Sequence, residues 1–252
     1  MMIFLFSLFS FATPLSSSPL IQKMGDAQIN WTQMRLEAKS SYASRTQSWG
    51  YRESLAGQNV AQIIQENITI IPFSAEKSIS DLRNDEQLAG NFTDGLQNWK
   101  TSESRYIHST HEVEVIGYLS LQSYLRKTVM YFAKSTITSE PTVHTGLIID
   151  ARGVDFQPLV MPDIYSAQGE KILSIEHFSS KSAQDTLPVR YVRTPVDPLC
   201  ATIVGKTPAM VRAQKEHNGG LALEENITLP SSNDLAAISA QGKVVIVLSD
   251  FE

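Results

Sequence analysis

The sequence predicts an α+β fold, with a small N-terminal sheet packed by helices followed by a β-rich C-terminal domain. Apolar residues at helical spacing alternate with strand-like stretches in the first half, and short apolar runs separated by Pro and Gly dominate the second. The chain has 252 residues, of which 42% are hydrophobic, enough for two cores without metal or disulfide support. Residues 133–143 are rich in Ser and Thr and lack an apolar period. We therefore expect an α+β domain over 24–132, a linker over 133–143 and a β-rich α+β domain over 144–252.

The first half contains the clearer periodicities. Asn30–Ala38 alternates strictly between two sets of residues, which predicts a half-buried strand. From Ser48 to Gln65 the apolar positions recur at helical spacing, which predicts a helix. A second helix is expected from Ser80, a plausible N-cap, through Trp99. A long strand over Arg105–Gly117 and a short helix from Leu121 to Phe132 complete this half.

The second half reads mainly as strands. Gly146–Ala151 predicts a strand, and Asp163–Leu173 predicts two short strands joined by a turn at Gly169. One helix begins at Ser231 or Ser232 and is broken by Gly242. The apolar run Val244–Leu248 predicts a last buried strand.

The N-terminus predicts export. Met1–Ala12 is an uncharged, almost entirely apolar run, too short for a transmembrane helix, which needs about 20 residues. Ser10 and Ala12 supply the small residues of a signal-peptidase site, so we expect a signal peptide over residues 1–12. The alternative is a misplaced start that precedes a short buried strand. Export predicts a periplasmic or outer-membrane-peripheral protein with no integral membrane span.

Charge and cysteine content exclude several classes of partner and cofactor. Lys and Arg number 21 against 26 Asp and Glu, giving a net charge of −5 with no basic block. We therefore expect no nucleic-acid partner and no general attraction to anionic lipid surfaces. Cys200 is the single cysteine, so no intrachain disulfide can form, and none follows the apolar run where a lipid-acceptor cysteine would stand.

No motif predicts catalysis. His108, His111 and Glu112 do not have the spacing of a helical zinc-protease motif, and on the predicted strand the two histidines point to opposite faces. The nucleophile-elbow and P-loop patterns are both missing from the sequence. We therefore expect no catalytic residue, no metal site and no cofactor.

The most unusual segment joins an apolar strand to a cluster of charges at Asp150, Arg152, Gly153 and Asp155. In one interpretation these residues bind a polar ligand or the strand of a partner. In the other, which we favour, Arg152 pairs an acid at the strand end and Gly153 supplies a turn with positive φ. The expectation is a binding site or a structural turn.

These residues also carry a resemblance to a known family. The sequence reads TGLIIDARG at 145–153, followed by Met161-Pro-Asp-Ile164, the turn at Gly169 and KVVIVL at 243–248. With the upstream strands and helix, it resembles the twenty-kilodalton envelope lipoprotein family that includes the flagellar proteins FlgP and FlgT. The lipid-acceptor cysteine is missing, so the resemblance does not extend to lipid anchoring. It implies a non-enzymatic envelope protein, an assembly or ring component, without a cofactor.

Three functions remain open from the sequence. The leading hypothesis is a non-enzymatic exported envelope protein that acts in structural assembly or protein interaction, associated with the flagellum, whose partners are other envelope or flagellar proteins or further copies of itself. The alternative is a periplasmic ligand-binding module with a site around Asp150, Arg152 and Asp155. A weaker alternative is an uncharacterised hydrolase, because catalytic side chains can converge from distant positions.

Overall fold

The computed structural model of the protein describes residues 18–92, 95–136, 142–225 and 229–250. The predicted signal peptide, residues 1–12, lies outside the described residues, and so do residues 137–141 of the predicted linker. Helices pack on an antiparallel sheet in the first half and on a larger sheet in the second, which confirms the α+β fold class. None of the described helices is long and apolar enough to cross a membrane.

The elements are as follows. The strands are β1 Ile21–Met24, β2 Ala27–Asn30, β3 Arg35–Ala43, β4 Lys100–Ile107, β5 Glu112–Ser120, β6 Leu147–Asp150, β7 Ile164–Tyr165, β8 Lys171–Leu173, β9 Val189–Val192, β10 Ala209–His217, β11 Gly220–Leu223 and β12 Val244–Val247. The helices are α1 Trp49–Ile68, α2 Ile79–Asn84, α3 Leu121–Phe132, α4 Pro198–Val204 and α5 Ser232–Gln241. Short 3-10 helices occupy Ala89–Phe92, Gly95–Asn98, Ile175–His177 and Ser182–Gln184.

The first sheet has five antiparallel strands in the order β1-β2-β3-β5-β4. Helix α1 covers one face of β3 and β5 and buries its predicted apolar stripe, including Val60 and Ile64. Its N-cap is Ser48, whose side chain accepts a hydrogen bond from the Tyr51 amide. The predictions of α1 and α3 are confirmed. The opposite face of this sheet carries mostly polar and charged side chains.

Two predicted strands are each interrupted by a turn. Asn30–Ala38 contains the end of β2, a turn and the start of β3, so the prediction of one strand was wrong. Asn30 Oδ1 accepts a hydrogen bond from the Gln33 amide at 3.0 Å, and Met34 adopts φ of 51°. Because Thr32, Met34, Leu36 and Ala38 are all buried, one set of the alternation continues through the turn and hides it.

The same error occurs in Arg105–Gly117, which forms the hairpin β4–β5 rather than one long strand. Its turn contains His111 with φ of 55° and has no Gly, Asn or Pro to signal it. The predicted helix from Ser80 to Trp99 was also wrong in extent. Its N-cap is Ser78 rather than Ser80, and helix α2 ends at Asn84 because Asp85 adopts an extended conformation; two 3-10 helices follow it.

The second sheet has seven strands in the order β8-β7-β11-β10-β6-β12-β9. At its centre β6 pairs in parallel with both β10 and β12, and β12 pairs in parallel with β9. The predictions of β6, the β7–β8 hairpin, α5 and β12 are confirmed, and α5 ends at Gly242 in a left-handed conformation. The sequence did not predict β9, α4, β10 or β11.

The two sheets share one buried apolar cluster in the described part of the chain. Trp31 from the first half packs edge-on against Tyr191 from the second, with ring centroids 5.5 Å apart. The amides of Val160 and Met161 donate to the carbonyls of Pro72 and Phe73 at 3.1 and 2.7 Å. Both apolar packing and backbone hydrogen bonds therefore join the halves.

Candidate functional site

The segment singled out by the sequence lies at the carboxyl edge of the parallel strands. Asp150 is the last residue of β6 and is paired in register with Arg212 of β10 on one side and Val247 of β12 on the other. In sheets built from parallel strands, this edge is where ligand sites commonly form. The position of Asp150 is therefore one where a functional site can form, and the chemistry available there depends on the neighbouring side chains.

Asp150 and Arg152 bind each other. Arg152 donates from Nε to Oδ1 of Asp150 at 2.8 Å and from a terminal nitrogen to Oδ2 at 2.7 Å, and its backbone amide donates to Oδ1 at 3.2 Å. The hydrogen bonds from Arg152 lower the pKa of Asp150, and the carboxylate raises the pKa of Arg152. Both groups are therefore charged at neutral pH. Because each satisfies the other, neither is a free catalytic acid or base.

Gly153 and Asp155 have different roles in this segment. Gly153 adopts φ of 84°, and no atom lies within 4 Å of where its Cβ would be, so the backbone conformation rather than crowding favours glycine. Asp155 is exposed and lines an open hollow of about 500 Å³ together with Gly153, Leu248 and Asp250. Asp150 and Arg152 do not line this hollow. The structure thus joins Asp150, Arg152 and Gly153 in one turn and places Asp155 apart from the pair.

Further charges on this edge were missed from the sequence. Arg193, just after β9, forms an ion pair with Asp250, just after β12. Arg212 approaches Glu224 at 3.6 Å. Recognising the first pair required β9 to be predicted as the neighbour of β12, and recognising the second required the β10–β11 hairpin. Three ion pairs, none of which includes Asp155, therefore lie along this edge.

The comparison with known families concerns this half of the chain. Residues 146–250 are similar to the family described as Treponema pallidum Tp0624, second domain. No curated protein sequence matches the chain significantly. The matched segment runs from the residue before β6 to beyond β12, so it contains the carboxyl edge with Asp150 and Arg152. All of TGLIIDARG except Thr145 lies within the same segment.

The other candidate reactive groups are held in structural positions. Cys200 is buried in α4, and burial together with the nearby charge of Asp197 raises the pKa of its thiol to about 11, so a thiolate is scarce at neutral pH.

The expectation that His108 and His111 lie on a strand was wrong, because both are in the β4–β5 turn. The ring Nδ1 of His111 is 2.8 Å from the hydroxyl of Tyr106. In the described ranges, no group of three or more His, Cys, Asp or Glu side chains could hold a metal ion.

A second feature of functional interest is the edge of the first sheet. Strand β4 spans eight residues, and in the part of the chain that the structure describes β5 is its only strand neighbour. Glu103 and Arg105 are exposed on it, and a bulge interrupts the pairing between Thr101 and Glu103. The other edge strands are shorter: β1 and β9 have four residues each and β8 has three. Strand β4 is therefore the longest edge in the described fold.

Proposed function

We propose that the protein is a non-enzymatic, exported protein of the bacterial cell envelope that acts in structural assembly by docking to other envelope proteins and to further copies of itself. Three observations support this proposal. The uncharged run Met1–Ala12 has the composition of a signal peptide, TGLIIDARG resembles envelope proteins, and the charges at the carboxyl edge are paired with one another.

We infer the mode of docking from β4, the edge strand of the first sheet. An edge strand presents backbone N–H and C=O groups on its free side, and a partner strand can add to them. The bulge near Thr101 and the charges of Glu103 and Arg105 disfavour indiscriminate pairing, which is how soluble proteins protect such edges. They still permit a partner whose charges match. The edge is therefore suited to selective strand addition.

A second copy of the chain supplies matching charges. In an antiparallel, two-fold symmetric pairing centred on Ser104, Glu103 of each copy lies opposite Arg105 of the other. Both residues lie on the outer, solvent-facing side of the sheet, because Arg105 is paired in register with Glu114 and reaches its carboxylate. Opposite charges in directly paired positions stabilise a strand pair by about 0.2–1 kcal/mol each. A two-fold arrangement contains two such pairs.

Charge reversal on β4 tests this docking mode. We expect the unsubstituted chain to dimerise with increasing concentration in sedimentation velocity. Glu103→Lys and Arg105→Glu should each remain monomeric, because each places like charges opposite one another. An equimolar mixture of the two variants should dimerise again, because it restores both opposite-charge pairs. Glu86→Lys, the same change at an exposed acid outside β4, is the matched control and should dimerise normally.

Two results would overturn the β4 mode. One is an unsubstituted chain that stays monomeric at every concentration tested. The other is a Glu103→Lys variant that dimerises as well as the Glu86→Lys control. Thermal unfolding of each variant separates loss of docking from loss of folding, which matters for Arg105 because it also contacts Glu114 at 2.6 Å.

The flagellar part of the proposal rests on the resemblance alone. Deleting the gene should reduce swimming while leaving growth unchanged. A deletion strain that swims normally would remove the flagellar role and leave the wider envelope assignment.

A ligand-binding module is the second candidate function, and the hollow beside Asp155 is the observation that favours it. Asp155→Asn should abolish a small-molecule thermal shift if the hollow is a binding site, whereas Arg152→Ala should leave that shift in place, since Arg152 does not line the hollow. A library screen without any thermal shift on the unsubstituted protein would remove this candidate.

A further inference from the structure

The polar face of the first sheet, opposite α1, borders a cavity of about 720 Å³. Three cationic side chains line this cavity: Arg35, Lys100 and Arg126. They come from β3, β4 and α3, so three separate elements converge on one space. None of the described residues that line the cavity is acidic, and none is aliphatic. The cavity is therefore positively charged and hydrophilic.

Of the three cations in the cavity, only Arg35 forms an ion pair among the described residues. Arg35 is fixed by an ion pair with Glu37 and by its position over the ring of Tyr118, 4.9 Å from the centroid. Glu37 is held in turn by the side-chain amide of Gln28, which donates to it at 2.8 Å. In the described ranges neither Lys100 nor Arg126 forms an ion pair. Two positive charges therefore line the cavity without an ion-pair partner among the residues that the structure describes.

We propose that this cavity binds a hydrophilic anion that carries a phosphate group. Guanidinium and ammonium groups together form strong, charge-assisted hydrogen bonds to phosphate oxygens. Hydroxyls of Tyr118, Ser120 and Ser123 line the same space and can bind further oxygens of the ligand. Because the lining has no aliphatic side chain, an acyl chain would find no apolar surface there. This inference goes beyond the proposed docking function, and Glu103 is not part of the cavity lining.

Calorimetric titration of the full mature chain with inorganic phosphate, at constant ionic strength, tests the proposal. We expect the unsubstituted protein to bind phosphate. The affinity of the double variant Lys100→Gln/Arg126→Gln should be at least about tenfold lower, since hydrogen bonds between charged groups are lost. The matched control is Arg45→Gln/Lys215→Gln, which removes the same two charges from exposed positions outside the cavity. The control should bind like the unsubstituted protein, and so should Glu103→Lys.

The source of the phosphate is distinguished by vesicles. If the ligand is a free phosphate or a phosphorylated solute, inorganic phosphate binds and phosphatidylglycerol vesicles do not. If it is a lipid headgroup, phosphatidylglycerol vesicles bind, phosphatidylcholine vesicles do not, and Lys100→Gln/Arg126→Gln abolishes the binding. The proposal is overturned if neither phosphate nor anionic vesicles bind, or if both double variants lose binding equally. Thermal unfolding of each variant verifies that it is folded.

Discussion

Asp150 and Arg152 illustrate how exposure limits what a charged pair contributes. The carboxylate is mostly sheltered, with 18% of its side chain exposed, whereas 47% of the Arg152 side chain is exposed. Solvent around the guanidinium screens the attraction, so the pair is worth less than a buried one. Its function here is to fix the turn after β6.

Arg152→Ala should therefore lower stability modestly, and the loss should depend on pH. Arg152 holds the pKa of Asp150 below its ordinary value of 3.8, so the pair stabilises the fold above that pH and the contribution disappears as pH falls through the folded-state pKa. In urea unfolding, the difference in unfolding free energy between the unsubstituted and variant proteins should shrink from about pH 6 to about pH 3. A difference that stays constant or grows on acidification would contradict this role.

Glu114 presents a contrasting case on the outer face of the first sheet. Burial raises the pKa of its carboxyl group, but the neighbouring Lys39 ammonium and Arg105 guanidinium together lower it below the usual range. The carboxylate lies 3.2 Å from Lys39 and 2.6 Å from Arg105, and 8% of its side chain is exposed. It therefore binds one cation from each of β3 and β4, the two strands that flank β5.

Glu114→Gln should lower the free energy of unfolding by about 1 kcal/mol, because it leaves two cations facing one another while solvent screens part of their repulsion. Glu112→Gln on the same strand is the matched control and should have a smaller effect, since no ion pair of Glu112 occurs in the described ranges. Chemical denaturation at neutral pH measures both. Equal decreases in the free energy of unfolding of the two variants would show that the ion pairs of Glu114 do not stabilise the fold.

At the scale of elements, close contacts explain where α4 can lie. Gly146 precedes β6, and a Cβ added there would lie 2.5 Å from Cα of Val204 and 2.6 Å from its carbonyl oxygen. The neighbouring hydroxyl of Thr145 donates to the same carbonyl at 2.7 Å. The end of α4 can lie against the start of β6 because Gly146 has no side chain, and the Thr145 hydrogen bond holds it there.

Gly146→Ala should destabilise the protein by about 2 kcal/mol, because the contacting atoms belong to the backbone and cannot rotate away. Gly50→Ala is the control, since Gly50 lies in α1 with no atom within 4 Å of the added Cβ, and it should be neutral or slightly stabilising. The midpoints of urea unfolding compare the two. A neutral Gly146→Ala would show that α4 can move away at little cost.

The elements also show what sequence periodicity can and cannot predict. Helices α1 and α3 were predicted because each buries one stripe of apolar side chains. The turns inside Asn30–Ala38 and Arg105–Gly117 were missed because the apolar alternation runs through them. In the candidate site, the pairing of Arg152 with Asp150 follows from their closeness in sequence. The partner of Arg193 does not, because Asp250 reaches it only through the order of strands in the sheet.

At the scale of the molecule, the two predicted domains share buried surface. The contact of Trp31 with Tyr191 and the hydrogen bonds of Val160 and Met161 join the halves. Limited proteolysis should cut first within 133–143, as the Ser- and Thr-rich composition predicts. The two fragments should then co-elute in gel filtration, since apolar burial holds them together. Fragments that separate would show that the halves are independent, and first cuts within β2 or β12 would contradict the predicted linker.

Photo-cross-linking in intact cells, with a photoreactive residue in place of Ser102, tests directly whether the protein is exported and assembles through β4, where Ser102 is exposed. We expect a cross-linked product with twice the mass of the mature chain, located outside the cytoplasm, whose chains begin near Thr13. The same probe at Glu86 should give none, and adding Glu103→Lys should abolish the product. A monomeric cytosolic protein that retains Met1, with no cross-link from Ser102, would contradict both export and assembly through β4.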